Sequence, residues 1–200
     1  MIMSEHSGSA PAETPGSTPV TSPRQLVMVR PHLRDLPPRE SIALPPGYAI
    51  RTYQPGDEQA WAEIMNTGIG SGWTAERVGE ELTGLPQFDP QGLFFITYEG
   101  RPVATACAWR EHPEEREHGI LHMVCALPEH RGHRFGYVVS LLVLWYFAER
   151  GFVDCRLLTD DWRLSAIKAY LDLGFQPVYF DDLHRQRWRA VGEKLGRALG

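Results

Sequence analysis

Apolar positions recur along this chain in two rhythms. Alternating, β-branched and aromatic stretches predict strands at YAIRTY (48–53), LFFITY (93–98), PVATACAW (102–109) and HGILHMVCAL (118–127). The second and third of these flank Glu99, Gly100 and Arg101, which predicts an antiparallel hairpin. Helical spacing appears at Ala60, Trp61, Ile64 and Met65, with Asp57 as the expected cap and Gly68 as the stop; Thr74 is the expected cap of a second helix running through Leu82. Further on come an apolar helix over 138–147, a strand FVDCRLL (152–158), a helix from about Leu164 to Gly174, and a last strand FQPVYF (175–180). A closing helix places Trp188, Val191 and Leu195 on one side.

That order, antiparallel strands followed by alternating strand and helix, predicts a mixed α/β (α+β) sheet with helices on both faces. YAIRTY reads as the first strand of the sheet proper, with the short apolar piece LVMV (26–29) ahead of it. Residues 1–24 are rich in Ser, Pro, Thr and Gly and poor in large apolar side chains, so they read as a disordered tail preceding a single domain over 25–200.

Composition narrows the functional classes. The chain has 200 residues, 42% of them hydrophobic, enough for one well-filled core. A formal charge of −5 argues against sequence-independent nucleic-acid binding, which needs an overall basic face. The N-terminus lacks the basic-then-apolar order of a secretory signal and the apolar runs are short, so no membrane association and a cytoplasmic location are expected. Cys107, Cys125 and Cys155 are far apart without a CxxC pair, and read as buried free thiols rather than metal ligands.

The chemistry concentrates in PEHRGHRFGYVVSLLVLWYF (128–147). A helix beginning near Arg134 leaves its first N–H groups unpaired and points partial positive charge at its mouth. Gly132 and Gly136 remove side chains there, while Arg131 and Arg134 add charge, so phosphate is the natural guest.

VCALPEHRGHRFG resembles the acyl-CoA-binding motif of the GNAT superfamily of N-acetyltransferases, in which a strand, a proline and an RxxGxG turn lead into a helix. Arg131 and Gly136 match the ends of that turn, and Arg134 replaces its inner glycine. DDWRLSAIKAYLDLGF (160–175) resembles the family's second signature through Ala166, Ile167, Tyr170, Gly174 and Phe175. The resemblance covers roughly residues 48–180. It implies a mostly antiparallel sheet with a splayed central strand pair and acetyl-CoA as acyl donor, with no metal.

It also implies residue roles. Val124, Cys125 and Ala126 would pair with the pantetheine arm, and Arg131, Gly132, His133, Arg134, Phe135, Gly136 and Tyr137 would cradle the diphosphate. Arg163 stands where many family members carry asparagine and could reach phosphate or pair with Asp160. Tyr170 would protonate the departing thiolate or, alternatively, serve as a core tyrosine. His122 is a candidate base or a core histidine, and by alternation it shares a face with Ile120 and Val124. Glu117, His118, Asp160 and Asp161 are further proton acceptors or solvated strand-end charges.

The expected activity is acetyl transfer to a primary amine of a small molecule or peptide, by direct attack in a ternary complex. The alternative is a non-catalytic acyl-CoA-binding module of the same fold. The arginine-rich C-terminal helix is a candidate homodimer surface.

Overall fold

A computed structural model describes residues 25–199. The tail expected over 1–24 lies outside the described residues. In chain order the elements are β1 (Leu26–Arg30), β2 (Tyr48–Thr52), α1 (Glu58–Asn66), α2 (Ala75–Val78), β3 (Leu93–Tyr98), β4 (Arg101–Trp109), β5 (His118–Ala126), α3 (Phe135–Glu149), β6 (Asp154–Thr159), α4 (Leu164–Asp172), β7 (Gln176–Pro177) and α5 (Asp182–Leu195). Short 3-10 turns and a π-helical turn at Gly79–Thr83 join them.

The strands form one sheet in the order β2-β3-β4-β5-β6-β1-β7, antiparallel throughout except between β5 and β6. α3 lies across β3, β4 and β5 on one face beside α4, and α1 covers β4 and β5 on the other. α3 is apolar nearly all round because it is enclosed between the sheet and α4; Val139, Leu141, Val143, Leu144 and Phe147 are all fully buried.

Four sequence expectations change. LVMV lies within the sheet as β1, between β6 and β7, with Leu26, Met28 and Arg30 turned inward and Val27 and Val29 partly exposed. Its partner β6 is more than a hundred residues away, a pairing that local pattern does not encode. The last strand shrinks to two residues, since Pro177 has no N–H to donate and only Val178 N–H continues to the Val27 carbonyl, at 2.9 Å. The strand expected over 152–158 starts two residues later, and Phe152 instead packs on Phe147 at 4.8 Å.

Asp57 precedes α1 but does not cap it through its side chain. Its carboxylate instead accepts from both terminal nitrogens of Arg51, at 2.6 and 2.7 Å, and from Gln54 N–H, at 2.7 Å. A bidentate guanidinium is a stronger partner than a single helix amide. Thr74 does cap α2, accepting from Arg77 N–H at 3.2 Å.

Two irregularities shape the centre. β5 and β6 pair only over His118–Ile120 and Asp154–Arg156, then run on unpaired and splay apart. β5 also bulges: Thr105 faces Cys125 while Cys107 faces His122, so three steps on β5 oppose two on β4. The bulge centres on Met123, whose φ is 53°.

Candidate active site

The splayed strands open into a cleft of about 900 Å³, lined by β5, the loop into α3, the first turn of α3, the end of α1 and the inner face of α4. The loop Arg131–Arg134 turns through two left-handed residues, Gly132 at φ 91° and Arg134 at φ 60°. This points successive amides inward. No side chain caps α3. The amides of Phe135, Gly136 and Tyr137 therefore remain at a positive helix end, the first intrahelical acceptor being Arg134 O for Val138 N–H.

Positive side chains share the cleft with that end. Arg131, Arg134, Lys168 and Arg163 all line the cleft. Among the described residues Arg131 has no carboxylate within ion-pair distance. Arg134 lies over the Tyr137 ring at 4.5 Å and 3.9 Å from Asp172, which also accepts from Arg197 at 2.6 Å. Gly136 lets α3 approach β5, where a Cβ would lie 3.9 Å from Val124 Cγ1.

Most residues singled out in the sequence converge here: Val124, Cys125, Ala126, Arg131, Gly132, Arg134, Phe135, Gly136, Tyr137, Arg163 and Tyr170 all line the cleft. His133 does not; its ring stacks on Phe135 at 5.2 Å and lies 5.7 Å from Tyr48, outside the cleft wall. His122 is also absent from the wall.

The bulge explains the position of His122. Gly119 faces α3, since a Cβ there would meet the Phe147 ring at 2.7 Å, and Val124 faces α3 through Gly136. Residues five apart in a regular strand would face opposite ways, so the extra residue has reset the alternation. His122 therefore keeps a face with Ile120 but not with Val124, and stacks on Trp109 at 5.7 Å and 27°. Cys125 turns to the α1 side, its thiol donating to Ile64 O at 3.4 Å. Burial lowers the His122 pKa to about 4, so its imidazole is neutral at physiological pH.

Tyr170 is 6% exposed, lies edge-on to Phe175 at 6.0 Å, and its hydroxyl has no hydrogen-bond partner among the described residues. Burial pushes its phenol well above the ordinary tyrosine value, so it holds its proton. Arg163 donates from Nε to Asp160 Oδ2 at 3.0 Å and from a terminal nitrogen to Gly68 O at 2.9 Å. Asp161 is bound by Arg187 at 2.5 Å, and His118 lies 3.0 Å from Asp154 at the closed end of the β5–β6 pair.

The sequence reading missed the cleft's opposite wall, formed by Thr67 and Gly68 after α1 and by Ser165, Lys168 and Ala169 on α4. The α4 residues follow from its helical spacing with Ala166 and Tyr170. Thr67 and Gly68 carry no local signal beyond the end of a helix. Among the described residues no three His, Cys, Asp or Glu side chains converge as metal ligands, and no helix is long and apolar enough to cross a membrane.

A mixed sheet whose one parallel pair splays into a cleft, with a basic helix mouth lining the opening, defines the class as a mixed α/β protein with its candidate site between two strands. Residues 58–175 match the acetyltransferase (GNAT) family, and the chain belongs to that family of acyltransferases. It is 30% identical over 169 residues to the mycothiol acetyltransferase of Thermomonospora curvata, covering 81% of this chain and 55% of that protein. With the mycothiol acetyltransferase of Rhodococcus erythropolis it shares 27% over 183 residues, covering 86% and 60%. The chain thus spans about half the length of the curated relatives it matches. Among solved structures, a GCN5-related N-acetyltransferase from Sphaerobacter thermophilus superposes with a TM-score of 0.60 at 24% identity, over 76% of this chain and 48% of that one. One from Kribbella flavida gives 0.52 at 21% identity, over 76% and 54%. These two likenesses show the shared fold.

Proposed function

We propose that this chain transfers an acetyl group from acetyl-CoA to the primary amine of a small-molecule acceptor, by direct attack in a ternary complex. The observation that carries this reading is Tyr170: a buried, protonated and unpartnered phenol lining the same cleft as the uncapped, arginine-flanked end of α3. The relatives are named for mycothiol, which supports a small-molecule acceptor over a protein one.

The cleft fits such a donor. The amides of residues 135–137, with Arg131 and Arg134, would hold the diphosphate. The edge of β5 over Val124–Ala126, released from β6 by the splay, would pair with the amide-bearing pantetheine arm. The bulge at Met123 frees backbone from the β4 ladder, which suits stabilisation of a developing oxyanion. Tyr170 would then donate its proton to the departing thiolate.

The proton on the acceptor is a separate matter. An alkylammonium has a pKa of about 10. An imidazole with a pKa of about 4 is far too weak a base to strip it, so His122 is better suited to packing on Trp109 behind the cleft wall than to acting as base. In this reading the amine enters neutral or loses its proton to water.

One observation favours a second reading, an acyl-CoA-binding module without turnover: Asp172 lines the cleft but is already engaged by two arginines, leaving no uncommitted carboxylate on the wall among the described residues. Calorimetric titration of acetyl-CoA, alongside Arg131→Glu, tests the cradle, and an amine screen with Tyr170→Phe as control tests turnover. Saturable binding lost in Arg131→Glu, with transfer lost in Tyr170→Phe, supports the first reading. Binding without transfer to any amine supports the second, and no binding by the folded protein removes both. The α5 helix remains the proposed surface for a homodimer, through its exposed arginines.

A further inference from the structure

The cleft holds a proton donor in surroundings that oppose donation. An ordinary phenol has a pKa near 10 and an ordinary thiol about 8.5. Burial lifts Tyr170 further still. Without help the phenol keeps its proton in preference to the thiolate that must receive it. A fixed positive charge near the phenol oxygen would offset this.

Arg163 shares the cleft with Tyr170 and carries such a charge. It occupies the N-cap of α4, and Ile167 and Tyr170 follow at four and seven residues, so the three lie on one stripe of the helix. Helical side chains slant toward the N-terminus, the end of α4 at which Arg163 stands. Both side chains line the cleft. The guanidinium is held by Asp160 at 3.0 Å and Gly68 O at 2.9 Å, with the Trp162 ring 4.4 Å away. Gly68 in turn abuts Cys125, since a Cβ on it would lie 2.9 Å from the thiol sulfur. Cys125 and Arg163 are both electrostatic neighbours of the Tyr170 phenol, and the Arg163 charge draws the phenol pKa back down against burial.

We propose that Arg163 is a positioning residue for Tyr170, its clamped guanidinium supporting the negative charge that develops on the phenol oxygen as the proton passes to the CoA thiolate. The inference rests on the transfer reading above. In that step the acceptor nitrogen bonds to the acetyl carbon, the carbon–sulfur bond breaks, and sulfur takes the Tyr170 proton. The proton lost by the attacking nitrogen then restores the phenol through solvent. This assignment replaces a phosphate contact for Arg163, because two of its donor edges are already committed to Asp160 and Gly68. Asp160 tempers the charge from the Nε edge, and it also accepts from the Gln25 amide at 3.2 Å.

Arg163→Gln removes the charge and keeps a hydrogen-bonding side chain, while Arg163→Lys keeps the charge. With acetyl-CoA and a primary amine, Arg163→Gln should lower kcat about tenfold and change KM for acetyl-CoA less than about twofold. Arg163→Lys should recover most of the rate. In a Tyr170→Phe background Arg163→Gln should cost nothing further. A raised KM with unchanged kcat, or the same kcat loss without the phenol, overturns the proposal. A second arm requires no turnover. A polyfluorinated tyrosine is incorporated, whose ring fluorines make the phenol far more acidic and bring its titration into the range where the protein stays folded. The resonance of position 170 is assigned from Tyr170→Phe, and its titration is followed by fluorine NMR. Arg163→Gln should move that titration to higher pH. An unmoved titration rejects the role of Arg163 whatever the turnover, whereas a moved titration in a protein that acetylates no amine rejects the transfer reading and leaves the electrostatic support in place.

Discussion

The Tyr48 hydroxyl lies 2.8 Å from Nδ1 of His130, 82 residues further along the chain. Tyr48 belongs to the edge strand β2, and His130 lines the cleft immediately before the Arg131–Arg134 loop. The same tyrosine packs at 4.7 Å on both Tyr98 and Phe135, the first residue of α3. An edge strand therefore braces the loop proposed to hold phosphate.

Tyr48→Phe keeps the ring contacts and removes the hydroxyl. A net hydrogen bond contributes about 1 kcal/mol. Acetyl-CoA should bind about 2- to 10-fold more weakly by calorimetry, with the melting temperature lowered by about 2–4 °C. Equal affinity in the variant would show that the loop holds its shape without the brace.

Arg134→Gly exchanges two effects. The left-handed backbone at φ 60° costs a non-glycine residue about 1–2 kcal/mol, while glycine raises the entropy of the unfolded chain by about 0.4–1 kcal/mol. Stability in a denaturant titration should stay within about 1 kcal/mol of the parent. Acetyl-CoA affinity should fall about three- to tenfold at low salt and depend less on ionic strength, since one screened charge–charge attraction is gone. Unaltered affinity would mean that Arg134 serves only the turn.

Gly174→Ala should destabilise strongly. Gly174 has φ 83°, and an added Cβ would collide with the guanidinium of the buried Arg30. Arg30 has little room to retreat, because it donates to Arg34 O at 3.0 Å inside the β1 side of the core. A loss of about 2–4 kcal/mol is expected from thermal or chemical unfolding, combining backbone strain with overpacking. A loss below about 1 kcal/mol would show that the guanidinium can move aside.

His122 should make the fold sensitive to acid. The unfolded imidazole titrates near 6.5, and burial holds the folded one at about 4. Between these values the unfolded chain binds the extra proton, so stability is complete above about pH 6.5 and falls as pH drops toward 4. The difference is worth up to about 3 kcal/mol. His122→Phe retains a ring to stack on Trp109 and should flatten the slope of stability between about pH 7 and 4.5, measured against the parent. Parallel slopes would place the acid-sensitive groups elsewhere.

Local chemistry was legible in the sequence wherever one short segment carries both the residues and the geometry. The loop 131–136 holds its glycines, its arginines and the helix mouth they serve within six residues. The stripe Arg163, Ile167, Tyr170 follows from the α-helical repeat. Strand β1 was not legible as a sheet member, because five apolar-alternating residues do not name a partner more than a hundred residues away. The face of Val124 was misread for a related reason: one bulged residue at Met123 reverses the alternation, and no side chain in HMVC announces a bulge.

The sequence by itself determined which groups are available: a protonatable phenol two turns into a helix, a basic helix mouth, and an apolar helix to hold that mouth rigid. Periodicity, capping chemistry and helix dipoles act over a few residues and are therefore written locally. Tertiary structure decided which groups meet. It released β5 from β6 to open the cleft, brought Gly68 against Cys125 and the Arg163 guanidinium, and turned His133 away toward Tyr48. Those outcomes depend on strand register and on packing between distant segments, where burial energy is shared across the whole core and no single stretch of sequence specifies the contact.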